Sequence, residues 1–261
     1  MNIVVCIKQV PDTTEIRLDP VKGTLIRDGV PSIINPDDKG GLEEALKLKD
    51  IHGAHITVIT MGPPQAEAAL REAIAMGVDR AILLTDRKFA GADTLATSHA
   101  LSAALKELNY DLIIAGRQAI DGDTAQVGPQ IAEFLNIPQI TYVNQIEYIK
   151  ENTFNVKRAT EEGYMLLQVE TPCLMTILAE ANSPRYMNVK DIVTAYDKEI
   201  EIWGVDKLST VDPDKLGLNG SPTKVRKSFT KGAKSAGQLY EVDPQEAAKI
   251  IVEKLKEKFI I

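Results

Sequence analysis

The sequence predicts an α/β protein with a doubly wound, mostly parallel sheet, followed by an antiparallel β section and an extended C-terminal arm that ends in a helix. Up to about residue 145, short continuous apolar runs alternate with amphipathic stretches of about 10–15 residues, a pattern typical of a parallel sheet covered on both faces. After residue 140, apolar and polar residues alternate instead, which predicts antiparallel strands. A chain of 261 residues suffices for one large domain, or for one domain with an appendage.

In the first half of the chain, strands and helices alternate. Strands are predicted at residues 3–7, 56–61, 80–85 and 111–115, and helices at 37–50, 64–76, 94–108 and 129–135. Asp37 and Asp38 follow Pro36 in the first turn of the first helix, where carboxylates interact favourably with the helix dipole. Asp93 is predicted to cap the third helix.

The second half of the chain has a different pattern. Antiparallel strands are predicted at residues 139–149, 153–158, 164–169 and 173–178, with a turn at 161–163. Residues 205–237 are rich in Gly, Pro, Ser, Asp and Lys and predict an extended arm. Asp243 and Pro244 then open an amphipathic helix. A long arm and a lone helix cannot bury themselves well, so we expect them to lie against a partner subunit.

Composition excludes several classes of function. A net charge of −7 and a pI near 5.2 argue against nucleic acid or an anionic membrane as the main partner. No apolar run approaches the roughly 20 residues of a membrane helix, and the N-terminus lacks the features of a signal peptide, so we expect a cytoplasmic protein. Cys6 and Cys173 lie in apolar runs and are interpreted as buried thiols, and His52, His55 and His99 show no metal-ligand spacing with them.

The most informative segment is the loop of residues 116–129. It follows a predicted strand and leads into a helix, so it lies at the carboxyl edge of the sheet, where such folds bind ligands. Its three glycines allow close approach of the backbone or positive φ, and the amides at the helix start suit a phosphate. Arg117 can add a charge-assisted bond to a pyrophosphate or a flavin. Alternatively, Asp121 and Asp123 only cap the helix in a surface turn.

This loop resembles the adenine-nucleotide loop of electron-transfer flavoprotein β subunits. Further segments resemble that family in the expected order: residues 5–12 its first strand and turn, 35–38 with 42–46 its second nucleotide-contacting segment, 61–63 its third strand end, 75–80 the approach to its fourth strand, and 182–186 its partner-facing loop. The resemblance implies an adenine-nucleotide-hydrolase-like domain at residues 1–190 that holds FAD. It also implies that residues 191–261 pack on a larger, FAD-containing α subunit.

The resemblance and the chemistry of the loop together define a set of cofactor-binding residues. They are Cys6, Asn35, Pro36, Asp37, Asp38, Met61, Thr94, Thr97, Gly116, Arg117, Gln118, Ala119, Ile120, Asp121, Gly122, Asp123, Thr124, Ala125, Gln126 and Val127. Cys6 and Met61 are expected to contact the ligand through their backbone, which is compatible with a place in the core. No acid, base or nucleophile is expected.

Two branches of the family differ in their ligand. One keeps AMP as a structural ligand, whereas the other binds a second FAD that splits an electron pair from NADH. This chain resembles the second branch, because Gly122 and Ala125 keep the loop small and because residues 93–97 and 220–226 resemble segments of its members. Thr94 and Thr97 can hydrogen-bond a flavin edge; the alternative is that they simply cap a helix.

The implied partners are the α subunit, ferredoxin or flavodoxin, and a dehydrogenase that acts on acyl-CoA or a 2-hydroxy acid. Ala181 stands where mitochondrial-type members carry a docking leucine, so the dehydrogenase surface differs; alternatively, Glu180, Arg185 and Tyr186 are simple surface residues. Two other functions are open. One is a non-bifurcating β subunit that binds AMP and relays electrons, and the other is a universal-stress-type nucleotide sensor, whose glycine-rich phosphate motif is missing here.

Overall fold

The computed structural model describes residues 1–12, 17–18, 25–26, 31–150, 152–224 and 237–261. They fall into two compact units, Met1–Lys227 and Ser228–Ile261. The strands are β1 (Asn2–Cys6), β2 (Gln9–Pro11), β3 (Arg17–Leu18), β4 (Leu25–Ile26), β5 (Ser32–Ile34), β6 (His55–Met61), β7 (Arg80–Leu84), β8 (Leu112–Gly116), β9 (Gln139–Lys150), β10 (Thr153–Thr160), β11 (Gly163–Glu170), β12 (Cys173–Ile177) and β13 (Glu201–Trp203). The helices are α1 (Pro36–His52), α2 (Glu67–Met76), α3 (Thr94–Lys106), α4 (Val127–Leu135), α5 (Val189–Thr194), α6 (Gly217–Gly220) and α7 (Pro244–Glu257).

A nine-stranded sheet organises the first unit. Its strand order is β11-β10-β9-β12-β8-β1-β6-β7-β13, and every neighbouring pair from β9 to β13 is parallel. Strand β9 begins parallel to β12 and continues as the antiparallel partner of β10, which pairs in turn with β11. The predicted mostly parallel sheet with an antiparallel section is therefore confirmed.

Helices cover the parallel part of the sheet on both faces. Alternate residues of β1 point to opposite sides: Ile3 and Val5 pack with α1 and α2, whereas Val4 and Cys6 pack with α3 and α4. This two-sided burial explains why the parallel strands are continuously apolar in sequence. The doubly wound arrangement leaves the carboxyl ends of β1, β6, β7 and β8 side by side at one edge.

One strand prediction was wrong in its pairing. Residues 173–178 were expected to extend the antiparallel section, but β12 lies parallel between β8 and β9 in the body of the sheet. All five of its residues are buried. Thr176, the polar residue that suggested alternation, is buried as well, and its Oγ1 accepts a hydrogen bond from the Tyr142 amide at 3.2 Å.

The region after residue 200 is more ordered than the predicted extended arm. Strand β13 pairs with β7, and residues 205–220 contain the 3₁₀ turns Val205–Lys207 and Pro213–Lys215 as well as α6. These elements are too short for a periodic pattern, and they are anchored by the buried side chains of Trp203, Leu208 and Leu216. The first unit therefore extends past the predicted boundary at residue 190, and residues 225–236 of the predicted arm lie outside the described residues.

The second unit contains the predicted C-terminal helix. Asp243 caps α7, since its Oδ1 accepts hydrogen bonds from the amides of Gln245 and Glu246. Ile251 and Val252 are exposed within this unit. Among the helices of the described ranges, none combines the length and apolar character needed to cross a bilayer.

Candidate functional site

A cavity of about 810 Å³ lies at the carboxyl ends of β1, β6, β7 and β8. This is the edge at which the sequence predicted a ligand, and the volume is within the range of about 300–1,000 Å³ usual for cofactor sites. Fourteen of the predicted residues line it: Cys6, Asp38, Met61, Thr94, Thr97, Gly116, Arg117, Gln118, Ala119, Gly122, Thr124, Ala125, Gln126 and Val127. The structure therefore brings together residues that are far apart in sequence, from Cys6 to Val127.

The other six predicted residues do not line the cavity: Asn35, Pro36, Asp37, Ile120, Asp121 and Asp123. Asn35 and Ile120 support the loop from behind. The Asn35 side chain, fully buried, donates from Nδ2 to the Gln118 carbonyl oxygen at 2.8 Å and accepts the Ile120 amide at 3.0 Å. These bonds fasten the turn of residues 118–120 to the start of α1, so Asn35 and Ile120 shape the wall without forming its surface.

Asp37 links three parts of the site. Its Oδ2 accepts hydrogen bonds from the Arg117 Nε at 3.1 Å and the Gln118 amide at 3.3 Å, and its Oδ1 accepts the Ala179 amide at 2.9 Å. The carboxylate is 5% exposed and therefore acts as a buried junction. It holds Arg117 at the cavity wall while occupying only one of the five guanidinium N–H groups among the described contacts.

Asp38 joins the ends of β1 and β8. Its Oδ2 accepts the Lys8 amide at 2.7 Å and its Oδ1 accepts the Gly116 amide at 3.0 Å. The pairing of these two strands ends at Cys6 and Ala115, so the Asp38 side chain from α1 supplies the acceptors for both amides. Burial raises the pKa of Asp38 to about 7, although the hydrogen bonds from Lys8 and Gly116 favour its ionised form.

This shift predicts a pH dependence of stability. The unfolded chain releases the Asp38 proton near the ordinary pKa of 3.8, whereas the folded chain keeps it up to about pH 7. Raising the pH through this window therefore lowers the free energy of unfolding, by at most about 1.4 kcal/mol per pH unit. We expect the difference in unfolding free energy between wild type and Asp38→Asn to fall by about 2–3 kcal/mol from pH 5 to pH 8.

Urea unfolding at pH 5, 6, 7 and 8 measures this effect. Glu161→Gln, which neutralises an exposed carboxylate in the turn between β10 and β11, is the matched control and should show no such trend relative to wild type. A difference between wild type and Asp38→Asn that does not change with pH contradicts the prediction.

The two aspartates at the tip of the loop do not cap α4. That helix begins without a side-chain cap. Asp121 instead forms an ion pair with Lys8, with Nζ 2.7 Å from a carboxylate oxygen, and Asp123 accepts a hydrogen bond from the Gln118 Nε2 at 2.9 Å. The capping alternative is therefore wrong, and both carboxylates hold the loop in shape.

The start of α4 has the features of a phosphate site. In any helix the first amides have no intrahelical acceptor, and here the cap residue Gln126 makes no side-chain cap hydrogen bond. Thr124, Ala125 and Gln126 lead into this start and line the cavity. The helix dipole and the free N–H groups both favour an anion at this position.

Positive φ occurs in the loop, but not at its glycines. Asp123 and Ala125 have φ values of 49° and 52°, which are uncommon for residues with a Cβ. Gly116 is needed for packing, because a Cβ there would lie 2.6 Å from the Asp38 amide nitrogen. Gly128 is similarly packed against Thr176, whereas a Cβ on Gly122 would meet no atom of the described residues within 4 Å.

The threonines at the start of α3 do not cap it. Asp93 is the cap, as predicted, and accepts the amides of Leu95 and Ala96 through Oδ1 at 3.0 and 3.1 Å. Thr94 donates from Oγ1 to the Gln126 Oε1 at 2.8 Å, and so connects α3 to the loop before α4. Thr97 lines the cavity one turn further along.

Cys6 and Met61 occupy strand ends, as expected. Cys6 is buried, and burial together with the nearby Asp38 carboxylate raises its pKa to about 12, so its thiol stays protonated. Burial also raises the pKa of Cys173 to about 12. Both are free thiols in the core, which confirms that interpretation.

One wall of the cavity was not predicted. It consists of residues 85–93, which follow β7 and include Arg87 and Phe89, and it faces the loop together with Leu101 and Pro63. The position of this segment after β7 could have predicted it, because the carboxyl end of β7 lies at the same sheet edge as the ends of β1, β6 and β8. Lys8 was also missed, although it follows β1 directly.

The predicted partner-facing segment is fastened to α1. The Arg185 guanidinium pairs with Glu43 at 2.9 Å and with Asp50 at 2.8 Å, and Asn182 donates to the Gly40 carbonyl oxygen at 2.9 Å. Arg185 is therefore a structural anchor, while the neighbouring Tyr186 is 98% exposed.

The fold and the site define an α/β protein with a large cavity at the carboxyl edge of a parallel sheet. The chain belongs to the electron transfer flavoprotein family, because the model of the electron transfer flavoprotein domain matches residues 22–208. It is 61% identical over 261 residues to the electron transfer flavoprotein subunit beta of Clostridium acetobutylicum, with both chains fully covered.

Two further relatives are also covered over their full length. The chain is 52% identical over 264 residues to the caffeyl-CoA reductase-Etf complex subunit CarD of Acetobacterium woodii. It is 48% identical over 269 residues to the acryloyl-CoA reductase electron transfer subunit gamma of Anaerotignum propionicum. The resemblance to β subunits is thereby confirmed, and the nucleotide-sensor alternative has no support.

Proposed function

We propose that this chain is a β subunit that binds FAD in the cavity between residues 85–94 and 116–128 and works in an NADH-dependent, electron-bifurcating complex. The observation that carries the proposal is the large cavity beside the uncapped start of α4. The chemistry that FAD supplies when bound is acceptance of a hydride from NADH and release of the two electrons along separate routes, one to ferredoxin or flavodoxin and one to the flavin of an α subunit.

The residues of the cavity fit a dinucleotide. The amides at the start of α4 and the Arg117 N–H groups other than the one bonded to Asp37 can bind the diphosphate, and Thr124 and Gln126 offer neutral hydrogen bonds to a sugar. Phe89, Leu101 and Met61 provide apolar surface for a ring system. AMP, less than half the size of FAD, would leave much of the 810 Å³ unfilled, which favours FAD over AMP.

The chain's own contribution is binding and orientation. Asn35, Asp37 and Asp38 hold the loop against α1, so the loop is already shaped before a ligand arrives. The Lys8 ammonium compensates the charge of Asp121, which would otherwise repel a nearby phosphate.

The names of two relatives support the choice of redox partner. CarD belongs to a caffeyl-CoA reductase complex, and the subunit gamma to an acryloyl-CoA reductase. We therefore propose an acyl-CoA-type flavin dehydrogenase as partner, with a 2-hydroxy-acid dehydrogenase as the second candidate, and an α subunit against which residues 191–261 pack.

Flavin counting on the assembled complex tests the proposal. After co-expression with the α subunit and gentle purification, we expect two FAD and no AMP per heterodimer, together with NADH-dependent reduction of ferredoxin or flavodoxin. One FAD and one AMP per heterodimer would establish the AMP-binding alternative. Two FAD without reaction with NADH would remove bifurcation and retain the FAD site.

A further inference from the structure

Residues 216–223, called here the strap, contact the cavity wall formed by residues 85–93. Leu216 is buried, and the Leu218 amide donates to the Ala90 carbonyl oxygen at 3.0 Å. Gly217 has φ +53°, and a Cβ there would lie 2.9 Å from that same oxygen and still closer to the Lys88 carbonyl oxygen. The strap is thus in backbone-to-backbone contact with the wall, and this contact accommodates only glycine at residue 217.

The polar end of the strap is bonded to Asp93. The Ser221 Oγ accepts the Asp93 amide at 2.8 Å, and the Asp93 Oδ2 accepts both the amide and the hydroxyl of Thr223, at 3.0 and 2.7 Å. Burial opposes ionisation of Asp93, but the hydrogen bonds from Ala96, Thr223 and Leu95 together lower its pKa. The hydrogen bonds that the Asp93 carboxylate accepts are therefore charge-assisted, and such bonds are stronger than neutral ones.

Asp93 connects the strap to the far side of the cavity. While its Oδ2 binds Thr223, its Oδ1 caps α3, and the first residue of that helix, Thr94, bonds to Gln126 in the loop before α4. Hydrogen bonds from Thr223 to Asp93 and from Thr94 to Gln126, joined by the peptide bond between Asp93 and Thr94, therefore connect the strap to the start of α4, the position proposed above for the phosphates.

We propose that Ser221 and Thr223 are positioning residues for the dinucleotide site, so that docking of the strap and binding of the ligand favour each other. The inference rests on the proposed FAD site. It adds that binding of a ligand in the cavity stabilises the docked strap, which precedes the C-terminal unit in the sequence. Because coupling between two equilibria is reciprocal, the ligand must stabilise the docked strap by the same factor by which the strap strengthens binding.

Hydrogen exchange on the full-length chain measures one direction of this coupling. We expect saturating FAD to slow amide exchange in residues 216–223 by about fivefold or more. Residues 163–170 of the antiparallel section, which form no part of the cavity, are the internal reference and should exchange at an unchanged rate.

Titration of variants with FAD measures the other direction. Thr223→Val removes one charge-assisted bond and should raise the Kd for FAD about tenfold, whereas Thr223→Ser keeps the hydroxyl and should bind like wild type. Ser209→Ala is the matched control. Ser209 fastens the same region of the chain to Glu107, and its loss should leave FAD binding unchanged.

The outcomes separate the coupling from the proposed function. Wild type that does not bind FAD overturns both. Wild type that binds FAD without protection of the strap, or Thr223→Val with an unchanged Kd, overturns the coupling alone. An equal rise in the Kd for FAD in Ser209→Ala would show that any loosening of this region weakens FAD binding. That result would also overturn the role assigned to Asp93 and Thr223.

Discussion

Gly116→Ala is expected to abolish FAD binding and to destabilise the fold. The added methyl would lie 2.6 Å from the Asp38 amide nitrogen, 2.8 Å from the Asp37 carbonyl carbon and closer still to the Asp38 Oδ1. Backbone atoms cannot rotate away, so either the end of β8 or the first turn of α1 must shift. We expect a loss of about 3 kcal/mol in unfolding free energy and a loss of affinity for FAD of about a hundredfold or more.

Gly122→Ala is the matched control in the same loop. Within the part of the chain that the structure describes, a Cβ at this position would meet no atom within 4 Å, and the residue does not have a left-handed φ. Its unfolding free energy should stay within about 0.5 kcal/mol of wild type. Urea unfolding and FAD titration compare the two variants. If Gly116→Ala binds FAD like wild type, the loop is not held as close to α1 as described.

Asn35→Asp is expected to have the second largest effect. The change is nearly isosteric, but it replaces the Nδ2 donor with an oxygen facing the Gln118 carbonyl at 2.8 Å. It also places a third carboxyl beside the buried Asp37 and Asp38. The turn of residues 118–120 should detach, with a loss of about 2–4 kcal/mol in unfolding free energy and a rise of about thirtyfold or more in the Kd for FAD.

The assembled complex offers a direct readout for this variant. Asn35→Asp should purify with one FAD per heterodimer instead of two, because only the site on this chain is affected. Asn155→Asp changes the net charge equally on the exposed face of β10 and should retain both flavins. Two tightly bound flavins in Asn35→Asp would argue that the loop does not depend on Asn35.

Sequence periodicity predicted the elements that are long and repeat a clear pattern. The parallel strands are continuously apolar because both faces are buried, and Asp93 precedes its helix as a cap normally does. β12 was assigned to the wrong pairing because one buried threonine imitates an alternating pattern. β13 and α6 were missed because elements of three and four residues depend on tertiary contacts rather than on periodicity.

The residues that line the cavity could be predicted better than the roles of the residues that hold the cavity wall in place. The loop of residues 116–128 could be located from its place after a strand. In contrast, Asn35, Asp37 and Asp121 hold the loop in place through contacts that span about 80–140 positions of sequence, and local sequence patterns do not reveal such contacts. The wall from Thr85 to Asp93 has no distinctive composition, and only the topology of the sheet identifies it.

The two cysteines give the chain a practical advantage. Both thiols are buried, Cys6 at the wall of the cavity, and burial raises the pKa of each to about 12, so we expect maleimides and other alkylating reagents to react with them slowly in the native state. A single cysteine introduced on the strap or on α7 can therefore carry a spin label or a fluorophore without removal of the natural ones. Distances between these elements and the sheet can then be followed in solution as cofactor and partner are added.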